Sequence, residues 1–318
     1  MHNIKNSSKP DHDEGAVTRL TLFHPNQLSK MSPWQLDFRQ MERGNMNTHA
    51  NIRPGDLVTL LEMKMSHGVH QVGASPKNTI NFGIPYSHLP YKWRGSSIES
   101  RSVVCFGVGA EFDAYCAGAF NAFTLSVSEP GFELLSYDLG LPSAIINRLR
   151  EPAVLVGHCN TSEMHRIGNS VLRYLQDHSL PFDIPEQEDL ILHLVAAIQA
   201  DGELIGNGSE KLRSKAFERA LKLMLSHIHE NLRVSVLCRE VGVSWSTLDR
   251  AFKERFGFGP KSYLLRLRLD LVRESLCNSP REIPIADTAN MFGFWHMGQF
   301  AKDYRAMFGE LPRETSRA

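Results

Sequence analysis

The 318-residue chain has no run of about 18 apolar residues, so nothing in it reads as a membrane-spanning helix. Its first residues, Met1-His2-Asn3-Ile4-Lys5-Asn6-Ser7, carry no apolar core of the kind an export signal needs. Cysteine is scarce. Cys105, Cys116, Cys159, Cys238 and Cys277 are scattered, odd in number and never spaced as CxxC. That excludes a disulfide framework and argues for small buried hydrophobes. Together these absences point to a cytoplasmic protein. A phosphate-binding glycine loop is missing, and neither Ser126 nor Cys105 sits in a local nucleophile motif. A strand-borne metal site would need two or three histidines and a carboxylate converging on one ion. His67 and His70 are three apart with no completing His or Glu, and His24, His49 and His88 fall in separate loops. We therefore expect no catalytic residues, no metal and no cofactor.

Net charge is zero, from 35 basic and 35 acidic residues, but the two ends differ. From Arg213 onward there are 18 Lys and Arg against 12 Asp and Glu, leaving 17 against 23 before it. A basic module follows an acidic one, and a basic module of this size implies a polyanionic partner. Length also suggests two domains, each large enough for its own core.

What the chain does have is the same apolar pattern twice. The first copy runs from Val236-Leu237-Cys238 through Gly242 to Leu248, Phe252, Phe256 and Pro260. The second runs from Ile285 through Ala289 and Gly293 to Phe300, Tyr304, Phe308 and Pro312. Gly242 and Gly293 are 51 positions apart, as are Cys238 and Ala289, whereas the pairs after the turn are 52 apart. Each copy reads as a short helix, a glycine turn and a second helix, the second turn being longer. Residues at four-residue intervals make one inward stripe per helix. The opposite faces carry Ser246, Arg250 and Lys253 in one copy and Gly298, Lys302 and Arg305 in the other. Such a cationic face suits phosphates and base edges of a DNA major groove. Trp245, Ser246, Thr247 and Arg250 lie near the start or on the outward face of the first such helix, after Ser244 as a helix cap. His296, Met297 and Gln299 begin the second, with Lys302 and Arg305 placed for phosphates and Gly298 for close backbone approach.

Over about residues 213–318 this doubled motif resembles the DNA-binding domain of AraC/XylS-type transcription regulators. The phrase Gly293-Phe294-Trp295-His296-Met297-Gly298-Gln299-Phe300 is similar to the branch that includes the ethanolamine-utilisation regulator. Pro260 to Leu276 resembles the family's linking helix, offering Tyr263, Leu264, Leu267, Leu269, Val272 and Leu276 to both halves. The resemblance implies seven helices, with two reading helices about one DNA turn (~34 Å) apart. It also implies double-stranded DNA, RNA polymerase and a second copy of the chain as partners, and a small-molecule effector.

Residues 1–16 are polar and read as a disordered tail. Short apolar runs then alternate with turn signals: Val17-Phe23, Trp34-Phe38, Leu57-Met65, Val69-Val72, Thr79-Ile84, Ser102-Gly107 and Phe120-Val127. Arg53-Pro54-Gly55-Asp56 and Ser75-Pro76-Lys77-Asn78 are among the turns. This argues for a β-barrel or sandwich. Its layout is similar to the cupin-like sensing domain that precedes the family's DNA-binding module. Two amphipathic helices, 162–177 and 185–200, resemble the family's dimerisation region, though they can equally pack on their own barrel. A glycine-rich linker is expected over 201–212.

The expected fold is therefore α+β: a cupin-like effector and dimerisation domain at 17–200, and an all-α domain with two helix-turn-helix motifs at 213–318. Glu111-Phe112-Asp113 reads either as carboxylates for a cationic ligand or as a polar turn. The expected function is a sequence-specific transcription regulator, an activator of a catabolic operon. The alternatives are a metal-dependent cupin-type enzyme fused to a DNA reader, and an architectural DNA protein without ligand.

Overall fold

The computed structural model describes residues 17–30, 34–86, 91–99, 102–177, 179–205, 212–230, 232–278 and 283–317. The expected tail at 1–16, His88 and residues 206–211 of the expected linker lie outside them. In chain order come β1 (Thr18–Leu22), a 3-10 turn (Pro25–Lys30), β2 (Gln35–Gln40), β3 (Thr48–Arg53), β4 (Val58–Met65), β5 (Val69–Ala74) and β6 (Thr79–Pro85). Next are β7 (Tyr91–Trp93), β8 (Ser96–Ile98), β9 (Ser102–Phe106), β10 (Glu111–Cys116) and β11 (Phe120–Ser128). Then α1 (Glu129–Asp138), α2 (Ser143–Arg150), β12 (Val154–His158), α3 (Thr161–Gln176), α4 (Ile184–Asp201) and β13 (Glu203–Ile205) close the N-terminal part. Seven helices follow among the described residues: α5 (Leu212–Ser226), α6 (Val234–Val241), α7 (Trp245–Phe256), α8 (Pro260–Asn278), α9 (Ile285–Met291), α10 (Met297–Phe308) and α11 (Pro312–Thr315).

The strands make two antiparallel sheets. The larger has the order β1-β3-β4-β11-β6-β9-β12-β13, the smaller β2-β5-β10-β7-β8. Among the described residues no ladder joins them, so they are stacked sheets and not the closed barrel expected. Period-2 alternation is satisfied by either arrangement, which is why the strand pattern alone could not separate them. The large sheet is apolar on both faces. Met63, Val104, Phe106 and Ala122 face the small sheet, while Leu60, Phe82, Cys105 and Leu125 face the helices α1 to α4. A strand covered on both sides reads as a nearly continuous apolar run, as in Val58-Thr59-Leu60-Leu61-Glu62-Met63.

Two expectations change here. The apolar stripes of α3 and α4 (Ile167, Val171, Leu175, Leu190, Leu194 and Ile198) are buried in the core beside the large sheet. They are spent within the chain and cannot serve as a partner-facing stripe. The start of the expected linker is also ordered: Glu203, Leu204 and Ile205 extend the large sheet by pairing with Val156, Leu155 and Val154.

The small sheet is covered on both faces as well, by the large sheet on one side and by α7 and α8 on the other. Along β5, Gln71 faces inward in register with Phe38 and Ala114, whereas His70 faces outward in register with Arg39 and Tyr115. On that outer face Tyr115 and Met41 join the helical core of Phe252, Phe256, Tyr263 and Leu267. His70 packs edge-on against Phe256, with ring centroids 4.9 Å apart. His70 Nδ1 lies 2.8 Å from the Tyr263 hydroxyl and Nε2 3.0 Å from Asp113. Arg255 of α7 closes an ion pair with Asp113, and Arg39 reaches Tyr263 at 3.3 Å. The Gln40 amide donates to Asp270 of α8 at 3.1 Å, and the Gly44 amide to the Met307 carbonyl of α10 at 2.7 Å. Asp113 is thus neither a turn residue nor a free ligand for a cation.

Burial holds the His70 imidazole below its usual pKa, against the opposing pull of Asp113; Arg39 and Arg255 reinforce the lowering. Burial alone would raise Asp113, but His70 and Arg255 outweigh it and the carboxyl is lowered. A histidine depressed in the folded state gives an unfolded chain that takes up the proton first, so it withdraws stability as pH falls below about 6.5. Asp113 contributes stability above the ordinary carboxylate range, and loses it as pH falls below about 4. Urea midpoints are expected to be level from about pH 8 to 7 and to decline from about 6.5 to 5. In His70→Gln the decline over that window should be shallower than in the parent protein. An identical slope in both would assign the decline to other groups.

Candidate nucleic-acid interface

The duplicated pattern folds into two helix pairs. In the first, α6 ends at Gly242, whose φ of 75° is the left-handed conformation that a side chain with a Cβ adopts at a cost. Ser244 then caps α7, its side chain accepting from the Thr247 amide at 3.2 Å. In the second, α9 ends before Gly293, at φ 81°, and five residues (292–296) separate it from α10, against three (242–244) in the first pair. His296 stands at the cap position without a side-chain hydrogen bond. The inward stripes are as expected: Leu248, Phe252, Phe256, Phe300, Tyr304 and Phe308 are all buried, as are the six apolar residues named on α8.

The outward faces of α7 and α10 correspond in the register of 52. Arg250 matches Lys302, Lys253 matches Arg305, and Ser246 matches Gly298. All six are exposed, together with Trp245, His296 and Gln299; Thr247 and Met297 are half-buried. Trp245, Ser246, Arg250 and Lys253 share one open depression of about 500 Å³ with Asp249 and Glu254. Two of the expected reading residues are already engaged within their own helix. Lys253 Nζ pairs with Asp249 at 2.7 Å, and Gln299 Nε2 donates to Asp303 at 2.8 Å. Exposed pairs of this spacing hold weakly, so a phosphate or base can compete for either group. Among the described residues Arg250, Lys302 and Arg305 have no side-chain ion pair.

Trp295, 63% exposed, was not counted among the reading residues, yet it stands beside His296 at the mouth of α10. It falls outside the four-residue stripe, and an exposed tryptophan off the stripe is the signal that could have marked it. Trp245, 50% exposed, occupies a comparable place at the start of α7.

No group of three His, Cys, Asp or Glu able to hold an ion occurs among the described residues. His67 bonds Ser66 and His49 bonds Thr21, while His24 is buried against Asp270 and His70 is committed to Tyr263 and Asp113. No helix among the described residues is long and apolar enough to cross a membrane.

Comparison with known proteins bears on these helices. Residues 237–318 match the family of the helix-turn-helix domain. Over 120 residues the chain is 32% identical to the XylDLEGF operon transcriptional activator of Pseudomonas putida, spanning 36% of this chain and 37% of that one. It is 31% identical over 99 residues to a probable thc operon regulatory protein of Rhodococcus erythropolis, spanning 31% and 30%. A solved transcriptional regulator of Chromobacterium violaceum, described as containing an AraC-type DNA-binding domain, is 32% identical, covering 32% of this chain and 89% of that one at a TM-score of 0.30. The C-terminal module is therefore a helix-turn-helix DNA-binding domain. Within that class it is of the AraC/XylS type. The chain spans 37% and 30% of the length of these two curated relatives.

A Cβ built on Gly298 meets nothing within 4 Å. Gly298→Ala should therefore fold normally and gain about 0.5 kcal/mol from helix propensity, read as a higher denaturation midpoint. A loss of stability would mean that the position is tighter than its surroundings indicate.

Proposed function

We propose that the chain is a sequence-specific DNA-binding transcription regulator, an activator of a catabolic operon, in which α7 and α10 enter successive major-groove segments. The observation that carries this reading is the matched cationic faces: Arg250 with Lys302 and Lys253 with Arg305, all exposed at one register on the two second helices. Arg250 reads a guanine, because a guanidinium bonds O6 and N7 together. Trp245, Ser246, Thr247, His296, Met297 and Gln299 lie at the helix starts, within reach of base edges, while Lys253, Lys302 and Arg305 engage phosphates. The backbone at Gly298 comes close to the groove floor. In this reading residues 17–200 form an effector and dimerisation domain, and a homodimer on a doubled site presents the regulator to RNA polymerase. Since α3 and α4 spend their apolar faces internally, dimer contacts fall elsewhere on the surface. Kinship with the ethanolamine branch rests on Gly293 to Phe300 alone.

Fluorescence anisotropy with a selected operator duplex tests the reading. Arg250→Ala should cost about 1–3 kcal/mol and relax preference at one base pair. Lys302→Ala should weaken all sequences alike and lower the salt slope by about 1. Equal affinity of the parent and both variants for every duplex would refute the assignment.

A further inference from the structure

The two helix pairs share the linking helix α8, but a second tie joins them. The connector between α5 and α6 reaches across to the end of α9. His229 Nδ1 lies 2.7 Å from the Met291 carbonyl, which can only accept, so this ring nitrogen carries the proton and donates. Met291 is the last residue of α9, one of the four whose carbonyls a helix leaves without an internal donor. The same ring packs on Phe292, with centroids 5.4 Å apart. Beside it Arg268 of α8 donates to the Glu230 carbonyl and rests against Gly293, where an added Cβ would come within 3.3 Å of the guanidinium. The connector is also stiffened from within. The Glu230 amide donates to the His227 carbonyl at 3.1 Å, and the His227 ring meets the Glu230 carboxylate at 3.0 Å. Gly293 belongs to the turn that leads into α10, so this clasp holds the second reading helix just ahead of its start.

We propose that His229 and Arg268 are positioning residues that set the spacing between the two DNA segments the domain accepts. One base pair added between the segments moves the second by ~3.4 Å and turns it by about 35°. Crossing angles of packed helices scatter by about 15–20° to either side. Packing on α8 alone therefore leaves a latitude of roughly one base pair, and directional hydrogen bonds at the turn remove it. Two reading helices held rigidly gain from binding a matched pair of segments together, and lose that gain once the geometry forbids both contacts. His229 is exposed and stands outside the apolar core, so its removal loosens the clasp without opening the fold. The proposal rests on α7 and α10 as the reading helices.

The experiment follows fluorescence anisotropy of the full chain on duplexes in which the two segments of a selected operator are moved apart or together by one base pair. The parent should lose about tenfold in affinity at either altered spacing, as for a mismatched pair. In His229→Ala that loss should shrink to about twofold, with the urea midpoint unchanged. His229→Asn, whose amide places a donor where Nδ1 stands, should restore the parent's profile. Should His229→Ala lower the midpoint, Arg268→Met loosens the same clasp from α8 and carries the comparison. A DNA-free measurement uses spin labels on unnatural side chains at Glu254 and Ala306, exposed residues of α7 and α10 that correspond in the register of 52. Their separation should be narrowly distributed in the parent and about twofold broader in His229→Ala. Should the parent select no operator, the DNA reading falls and these distances alone decide the clasp. A spacing profile as steep in His229→Ala as in the parent would overturn the proposal. So would a parent indifferent to spacing, or equally narrow distances in both proteins.

Discussion

The five-stranded sheet has no solvent face at its centre, and the rest of the molecule is arranged around that constraint. A strand buried on both sides must send every second residue into a different environment, so a one-residue slip would exchange them all. On β5 such a slip would turn His70 into the apolar space between the sheets and Gln71 onto the rings of Phe256 and Tyr263. Register is thereby fixed twice, once by packing and once by the polar cluster of Asp113, Arg255, Arg39 and Tyr263. The same sheet and the loop after β2 hold the DNA-binding domain in place. Arg255 anchors the far end of α7 and the Met307 carbonyl that of α10, leaving the starts of both helices turned outward.

The start of the expected linker is built into the fold, and the helix that joins the two halves of the C-terminal domain is packed against the sheets. Glu203 to Ile205 belong to the large sheet, and the linking helix α8 is covered on one side by its own domain and on the other by β2 and β5. In the proposed regulator, packed side chains of β2, β5 and α8 would couple the sheets to the DNA-binding domain, where a flexible linker would pass on proximity alone. Tyr263 lies at the crossing. Its ring packs with Phe252 and Phe256, its hydroxyl meets both Arg39 and His70, and burial pushes its pKa up to about 12, so it stays a neutral donor and acceptor.

The C-terminal module was legible in the sequence because its determinants are local. Four-residue apolar spacing, the glycines at 242 and 293 and the cap at Ser244 act within a few residues of where they are read. The N-terminal part was half legible. β1, β2, β4, β5, β6, β9 and β11 follow the apolar runs, whereas β3, β7, β8, β10, β12 and β13 have no counterpart among them, nor do α1 and α2. β10 shows why. Asp113 looks like a turn residue until Arg255 is brought to it from 142 positions away, and no local pattern encodes such a partner. Sheet closure was likewise out of reach, since a barrel and a sandwich demand the same alternation. On the reading helices, the residue types facing outward were legible, but the ties of Lys253 to Asp249 and Gln299 to Asp303 emerge with the geometry.

The cover that the small sheet gives to α7 and α8 has a consequence for anyone handling the DNA reader as a separate fragment. Cut away from residues 17–205, it would bare Phe256 and the ring of Tyr263 to water, beside Arg255 stripped of its carboxylate and Arg266 of the Met41 carbonyl. An apolar patch ringed by unmatched cations is a sticky surface on a fragment already rich in positive charge. Its solubility, and the specificity measured with it, would then depend on salt for reasons unrelated to the groove it reads.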